Sequence, residues 1–215
     1  MSISQLYCRE ITDANGALTD FLLDYPFDFN FGYDVVDLQA KTEPGKRALV
    51  WCNVEGEEHI FTFSDIKKYS NKMANVFLSH GIKRGSRVML VLKRHYEYWF
   101  AVIALHKIGA LAIPASHMLT VSDFSYRINT AKVDAIICTP QNEVCEKIQE
   151  ALENYNSDIK LWCVKEDKEG FYNLSKQTEE ASGELKRIPT LASDPMLMYF
   201  TSGTTGYPKG RCNCV

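Results

Sequence analysis

The sequence predicts an α/β fold in which a mostly parallel sheet is flanked by helices on both faces. Short apolar runs such as residues 88–92 lack the alternation of a half-exposed strand and are typical of strands buried on both faces. Stretches of helical period separate these runs. Strands that alternate with helices at this spacing form βαβ units, and these units build a parallel sheet.

The elements before this alternation are less regular. Residues 1–30 are rich in aromatic and acidic side chains without a clean period, so an irregular N-terminal arm is expected there. The body of the chain is expected to begin with a helix over residues 31–41. Two strands, 48–52 and 60–63, are predicted on either side of a polar turn.

The alternation itself starts with a helix over residues 64–80, for which Ser64 is the predicted N-cap and Gly81 the stop. A capping box at Thr120–Asp123 predicts the start of a later helix that runs to about residue 131. The other predicted helices are 97–108, 143–154 and 174–180, and the predicted strands are 88–92, 110–114, 135–138, 159–164 and 196–200. The first four of these strands are expected to be central and mainly parallel.

Composition and charge exclude several classes of protein. The chain has 215 residues, 46% of them hydrophobic, and a net charge of −3, which is ordinary for a globular protein and excludes wholesale disorder. The evenly mixed charge gives no footprint for nucleic acid, and no apolar run reaches the length of a membrane span. The first residues have neither a basic region nor an apolar region of a secretory signal, so a cytoplasmic protein is expected.

The seven cysteines do not indicate a disulfide framework, because their number is odd and no export signal is visible. Cys52, Cys138 and Cys163 lie in apolar runs and are expected to be small buried hydrophobic residues. The Cys212-x-Cys214 pair offers two ligands where a structural zinc site needs four. No metal site is therefore predicted.

The most informative segment is the run from Thr201 to Gly210, which directly follows the last predicted strand. Its glycines permit tight turns and close backbone approach, and its hydroxyl and N–H groups can surround phosphate oxygens. Lys209 adds a mobile positive charge. The spacing Gly203-x-x-Gly206-x-x-Lys209 differs from a Walker A loop. A polar surface loop rich in glycine and threonine is the alternative interpretation.

Phe200 to Gly210 matches, at every position, the signature loop of the adenylate-forming superfamily, which includes acyl-CoA synthetases and luciferases. Residues 61–66 and 105–114 resemble two earlier core motifs of that superfamily. Residues 31–37, 47–51 and 92–99 look most like the short- and medium-chain acyl-CoA synthetases. The resemblance implies the N-terminal part of an acyl-CoA synthetase/luciferase-like domain over residues 31–210, with residues 211–215 as an off-pattern tail.

The implied reaction joins a small-molecule carboxylate to coenzyme A with ATP and Mg²⁺, through an acyl-adenylate. The residues expected to hold the ATP phosphates are Thr201, Ser202, Gly203, Thr204, Thr205, Gly206, Tyr207, Pro208 and Lys209. Their contribution would be positioning and electrostatic stabilisation of the departing pyrophosphate. None of them is a nucleophile or a general base, so no complete catalytic set is predicted in this chain.

The resemblance also implies that Arg94 contacts coenzyme A; the alternative is a solvated basic residue between strand and helix. Tyr98 and Trp99 are expected to serve packing. Because family members continue for several hundred residues beyond the loop, this chain is expected to be an inactive part of a ligase. A phosphate- or partner-binding module without enzymatic activity, and an unrelated nucleotide-binding α/β domain, are the alternatives.

Overall fold

The computed structural model describes residues 3–153, 155, 158–201 and 209–213. The strands are β1 Cys8–Thr12, β2 Leu18–Leu23, β3 Arg47–Cys52, β4 Glu58–Thr62, β5 Arg87–Val91, β6 Leu111–Pro114, β7 Ala135–Cys138, β8 Lys160–Cys163, β9 Tyr172–Asn173, β10 Leu197–Thr201 and β11 Lys209–Asn213. The α-helices are α1 Ser4–Tyr7, α2 Leu38–Thr42, α3 Phe63–Ser79, α4 Glu97–Lys107, α5 Val121–Ala131, α6 Val144–Leu152 and α7 Leu174–Glu180. A π-helical segment, Gly32–Asp37, leads into α2.

The central sheet has seven strands in the order β11-β10-β6-β5-β7-β8-β9. Strands β10, β6, β5, β7, β8 and β9 run parallel, and β11 pairs antiparallel with β10 at one edge. The prediction that β5, β6, β7 and β8 are central and parallel is therefore confirmed. β3 and β4 form a separate antiparallel hairpin, as do β1 and β2.

Two hydrophobic cores cover the two faces of this sheet, and the strands contribute to them alternately. Val88 and Leu90 of β5 point into a core with α3, α4 and α7, whereas Met89 and Val91 point into a core with α5 and α6. All four side chains are at most 1% exposed. A strand buried on both faces has no solvent-exposed side that polar residues could occupy, which explains the continuous apolar run in the sequence.

The N-terminal arm is more regular than predicted. Cys8–Thr12 and Leu18–Leu23 pair as an antiparallel hairpin, with a register shift between Ile11 and Thr12. The hairpin is largely exposed, so its side chains need not follow the alternation that one buried face imposes on a strand. This lack of a periodic apolar pattern is the reason why the sequence did not reveal it.

The start of α3 lies slightly before the predicted position. The N-cap is Thr62 rather than Ser64, because the Asp65 side chain accepts hydrogen bonds from the Thr62 N–H and hydroxyl groups while the Thr62 hydroxyl accepts from the Asp65 N–H. The predicted capping box of α5 is confirmed at Thr120 and Asp123. Both helices thus begin with the same reciprocal pair of hydrogen bonds.

We expect the Thr62→Ala change to lower the free energy of unfolding by about 1 kcal/mol, because it leaves the Asp65 N–H in the first turn of α3 without its side-chain acceptor. Urea denaturation of the purified chain measures this loss. The Thr62→Ser variant keeps the hydroxyl and should stay close to wild type. Equal midpoints for the alanine and serine variants would contradict a capping role.

Other predictions about buried side chains are confirmed in part. Cys138 and Cys163 are buried, but Cys52 is exposed because it lies on the β3–β4 hairpin outside the central sheet. Trp99 is 51% exposed and so lies outside the core, but its ring packs edge-on against the half-buried Tyr98, with the ring centroids 5.3 Å apart. Within the described ranges, none of the helices is long and apolar enough to span a membrane.

Candidate functional site at the carboxyl ends of the strands

The order of the strands creates a switch point beside β5. The chain leaves β5 through α4 to β6 on one side, and then returns across the sheet through α5 to β7 on the other side. In open parallel sheets, ligands bind in the crevice outside the carboxyl ends of the strands at such a point. The segments that follow β5, β7 and β8 meet at this edge of the sheet.

Non-glycine residues with left-handed backbone conformations occur in all three of these segments. Lys93 follows β5 with a φ of 46°, Asn142 and Glu143 follow β7 with φ of 59° and 55°, and Lys165 follows β8 with a φ of 66°. Such conformations are uncommon for residues other than glycine, and they are often found at binding sites. These unusual backbone conformations thus occur at the edge of the sheet where the topology predicts a ligand.

A cavity of about 490 Å³ lies at this edge, between the β3–β4 hairpin and the segments after β5, β7 and β8. The Trp51 indole Nε1 donates a 2.6 Å hydrogen bond to the carbonyl oxygen of Arg94 and so ties the hairpin to the segment after β5. Lys93, Arg94 and Lys165 line the cavity and are exposed. Arg94, predicted to contact coenzyme A, therefore lies beside two further cations.

His95 joins two of the edge segments, because its Nε2 lies 2.8 Å from the Thr139 hydroxyl. Burial, together with the nearby charges of Lys165 and Lys93, lowers the pKa of His95 to about 4, so the ring is neutral at neutral pH. Glu97 lies 3.9 Å from the other ring nitrogen, and burial raises the pKa of its carboxyl group. The neutral imidazole serves here as a hydrogen-bonding link between β5 and β7.

A second histidine, which lies away from this edge, also has a lowered pKa. His106, on α4, is 6% exposed, and burial lowers its pKa to about 4. A histidine whose folded pKa lies below its ordinary value of 6.5 binds its proton more readily in the unfolded chain. Its contribution to stability is complete above pH 6.5 and is lost as the pH falls toward 4.

We therefore expect the free energy of unfolding to fall between pH 6.5 and pH 4, with His95 and His106 each contributing up to about 1.4 kcal/mol per pH unit. Urea unfolding at a series of pH values measures this slope. The double variant His95→Asn, His106→Asn should have a flatter acid limb than wild type. An unchanged slope in that variant would show that other groups control acid unfolding.

The Gly- and Thr-rich loop is attached to the same edge. Thr201 ends β10 and pairs with Lys209 at the start of β11, so residues 202–208 connect two paired positions of an antiparallel ladder. β10 adjoins β6, whose carboxyl end lines a further cavity of about 350 Å³ with Leu92, Lys93 and Tyr98. Residues 202–208 lie outside the described residues, as does the side chain of Lys209, and their phosphate-binding role stays a prediction.

The fold defines an α/β protein of the open, mostly parallel type, a class in which ligands bind at the carboxyl ends of the strands. The family model described as "AMP-binding enzyme" matches residues 36–211, and the chain belongs to this family. The family membership confirms the resemblance seen in the sequence, and it identifies the run from Phe200 to Gly210 as part of a matching domain rather than an isolated loop.

The curated relatives that this chain matches are named as acyl-coenzyme A synthetases. Human mitochondrial ACSM3 is 35% identical over 200 residues, which are 88% of this chain and 33% of the relative. Rat mitochondrial ACSM5 is 34% identical over 194 residues, with 86% of this chain and 33% of the relative covered. The chain thus spans about a third of the length of the relatives it matches.

The fold agrees with a solved structure of the same class. The acyl-CoA synthetase of Brucella canis superposes with a TM-score of 0.74 at 21% sequence identity, over 86% of this chain and 33% of that chain. The prediction of a cytoplasmic protein is wrong on these comparisons, because the ACSM3, ACSM4 and ACSM5 relatives are named as mitochondrial proteins. A start without secretory character does not distinguish the cytoplasm from an organelle.

Proposed function

We propose that this chain acts as the N-terminal part of an AMP-forming acyl-CoA synthetase of mitochondria. The observation that supports this most directly is the family match over residues 36–211, which includes the loop between β10 and β11. The names of the relatives support both the acyl-coenzyme A product and the mitochondrial location. The location is tested by imaging a tagged full-length protein, and a purely cytosolic signal would refute it.

The loop from Thr201 to Lys209 would hold the β- and γ-phosphates of ATP. In the first step, a carboxylate oxygen attacks the α-phosphorus, the bond to the bridging oxygen breaks, and pyrophosphate leaves with the negative charge. Backbone N–H groups, hydroxyl groups and the Lys209 ammonium stabilise that charge where it develops. These groups bind and orient the phosphates, and they transfer no proton.

Coenzyme A would enter at the basic edge formed by Lys93, Arg94 and Lys165. In the second step, its thiolate attacks the acyl carbon and AMP leaves. Coenzyme A carries several phosphate groups. The cavity of about 490 Å³ has three cations on the side of the sheet edge, which suit such an anion, and two carboxylates, Glu55 and Glu57, on the side of the hairpin. Arg94 is the best placed of these because the Trp51 hydrogen bond fixes its backbone.

The described segments after β5, β6 and β10 offer no carboxylate ligand for Mg²⁺, which prefers carboxylate and phosphate oxygens. Among the described residues that follow β5, β6 and β10, namely 92–96, 115–119 and Thr201, none carries a carboxylate.

ATP–pyrophosphate exchange tests the proposal. We expect exchange that depends on acetate, butyrate or octanoate when residues 36–211 replace the matching segment of human ACSM3 in a chimera. The 215-residue chain alone should bind ATP without exchange, since two thirds of the length of its relatives has no counterpart in the match. A folded chimera that binds no ATP would refute the proposed function.

A separate experiment tests the proposed role of Arg94 in binding coenzyme A. We expect Arg94→Ala to raise the KM for coenzyme A in the chimera by about 10-fold or more, because a charge-assisted hydrogen bond contributes about 1.5–3 kcal/mol. The exchange reaction, which needs no coenzyme A, should be unchanged. Lys83→Ala, an exposed lysine at the opposite end of β5, is the matched control. An unchanged KM would support the solvated alternative for Arg94.

A binding module without enzymatic activity is the second candidate. The exposed cations at the edge and the left-handed segments around them would suit an anion even without a reaction. Tight ATP binding by the chain, together with a folded chimera that shows no exchange, would favour this candidate.

A further inference from the structure

Three cysteines converge in the interior beneath the carboxyl edge of the sheet. Cys138 ends β7 and Cys163 ends β8, and the parallel register places these two residues side by side. Cys145, in the first turn of α6, lies over them. The three residues are at most 1% exposed. Sequence spacing does not reveal this group, because the register of two strands and the docking of a helix create it.

The distances between the sulfurs are those of ligands around one ion. The Cys145 Sγ lies 3.5 Å from the Cys138 Sγ and 3.8 Å from the Cys163 Sγ, and all three sulfurs lie within 4.8 Å of one another. A metal–sulfur bond of about 2.3 Å holds two sulfur ligands of one ion roughly 3.8–4 Å apart. The three sulfurs therefore need only small movements to share one ion.

The surroundings restrict which ion would fit. The neighbouring side chains in this core, such as Val91, Val144 and Ile148, are apolar and buried, so water is not available as a further ligand. Structural zinc takes four ligands almost without exception, whereas thiolate ligands also select copper(I). Three sulfurs in a dry core fit a soft ion that accepts three ligands.

We propose that Cys138, Cys145 and Cys163 form a closed site for one copper(I) ion, bound by three sulfur atoms. The three cysteines do not line the cavity of the proposed coenzyme A edge, and the proposal does not depend on the proposed function. Binding of the ion to the three sulfurs releases the three thiol protons to solvent.

The start of α6 provides a path for the ion. Asn142 and Glu143, just before the helix, both have left-handed backbone conformations, and the Glu143 N-cap makes no side-chain capping hydrogen bond. A helix that begins without a cap opens more readily at that end. The Cys145 thiol also donates a 3.6 Å hydrogen bond to the Thr139 carbonyl, so metal binding would reach the segment that contacts His95.

The test uses the full chain with the four other cysteines, Cys8, Cys52, Cys212 and Cys214, replaced by serine, so that only the cluster binds metal. Under anaerobic conditions, copper(I) is titrated against the chromophoric chelator bathocuproine disulfonate. We expect one ion per chain. X-ray absorption should show three sulfur neighbours at about 2.3 Å. Two sulfur neighbours, four sulfur neighbours or no competition with the chelator would overturn the proposal.

Single variants in this background separate a metal site from simple packing. Cys145→Ser and Cys163→Ala should each lower the copper(I) affinity by more than the ~10- to 100-fold typical of outer-shell changes. Copper(I) should raise the thermal midpoint of the background protein but not that of the variants. Circular dichroism without metal shows which of the two variants is folded. Affinity unchanged in a folded variant would mean that the thiols only pack.

Discussion

Replacement of Lys209 by alanine is expected to reduce carboxylate-dependent ATP–pyrophosphate exchange in the chimera by about 30- to 1000-fold. This loss corresponds to about 2–4 kcal/mol, the range observed when one preorganised charge-stabilising donor is removed from an active site. The lysine charge acts on the phosphates while negative charge moves onto the leaving pyrophosphate. The effect should therefore appear mainly in the turnover rate.

A second basic residue of β11 provides the control for Lys209→Ala. Thr201 and Lys209 face each other across the ladder, so the position of Lys209 is fixed through its backbone, and the change to alanine keeps that pairing. Arg211→Ala removes a positive charge from an exposed residue of the same strand and should leave exchange near wild type. Equal losses in both variants would indicate a general effect of charge. Full exchange activity in the Lys209→Ala variant would show that this lysine does not contribute to the reaction.

Local rules made most of the fold predictable from the sequence. The capping box at Thr120 was visible because its partner Asp123 lies three residues away. The parallel strands were visible because burial on both faces leaves only apolar residues, as in the four buried residues of β5 that follow Arg87. The N-cap of α3 was misplaced by two residues because threonine and serine are both good caps, and only the pairing of Thr62 with Asp65 decides between them.

Features made by residues far apart in the chain could not be predicted in this way. The contact between His95 and Thr139 depends on β7 lying beside β5, although β6 follows β5 in the sequence. The same crossing places Lys165 next to Arg94 at one cavity. Arg94 was singled out only through the resemblance to a family. No local pattern around it signals that a hairpin covers this edge.

Loss of the Lys107 side chain should strongly destabilise the fold. Its side chain is fully buried at the end of α4, and its ammonium donates hydrogen bonds to the Asp37 carboxylate at 2.7 Å, to Asn71 at 2.7 Å and to Ser70 at 3.0 Å. It therefore joins α4, α3 and the π-helical segment at one point. A Cβ atom at Gly32 would lie 2.6 Å from the Lys107 Cγ, so the segment packs directly on the lysine stem.

We expect Lys107→Met to lower the free energy of unfolding by about 3–5 kcal/mol, because it leaves the Asp37 carboxylate and the amide oxygen of Asn71 inside the protein without their donor. Methionine fills a similar volume, so the loss reflects the missing charge rather than a cavity. Urea denaturation, with equal slopes required for wild type and variant, measures it. Lys83→Met at an exposed turn is the control and should stay within about 0.5 kcal/mol of wild type.

A double variant separates the charge from the contacts. Replacing a whole buried ion pair by apolar residues is often neutral, whereas removing one partner is costly. Lys107→Met combined with Asp37→Leu should therefore be more stable than Lys107→Met alone, although Asn71 and Ser70 still lack their donor in both proteins. If the double variant is less stable than the single one, the carboxylate is not the unpaired group that destabilises the fold, and the loss at Lys107 arises from its hydrogen bonds to α3.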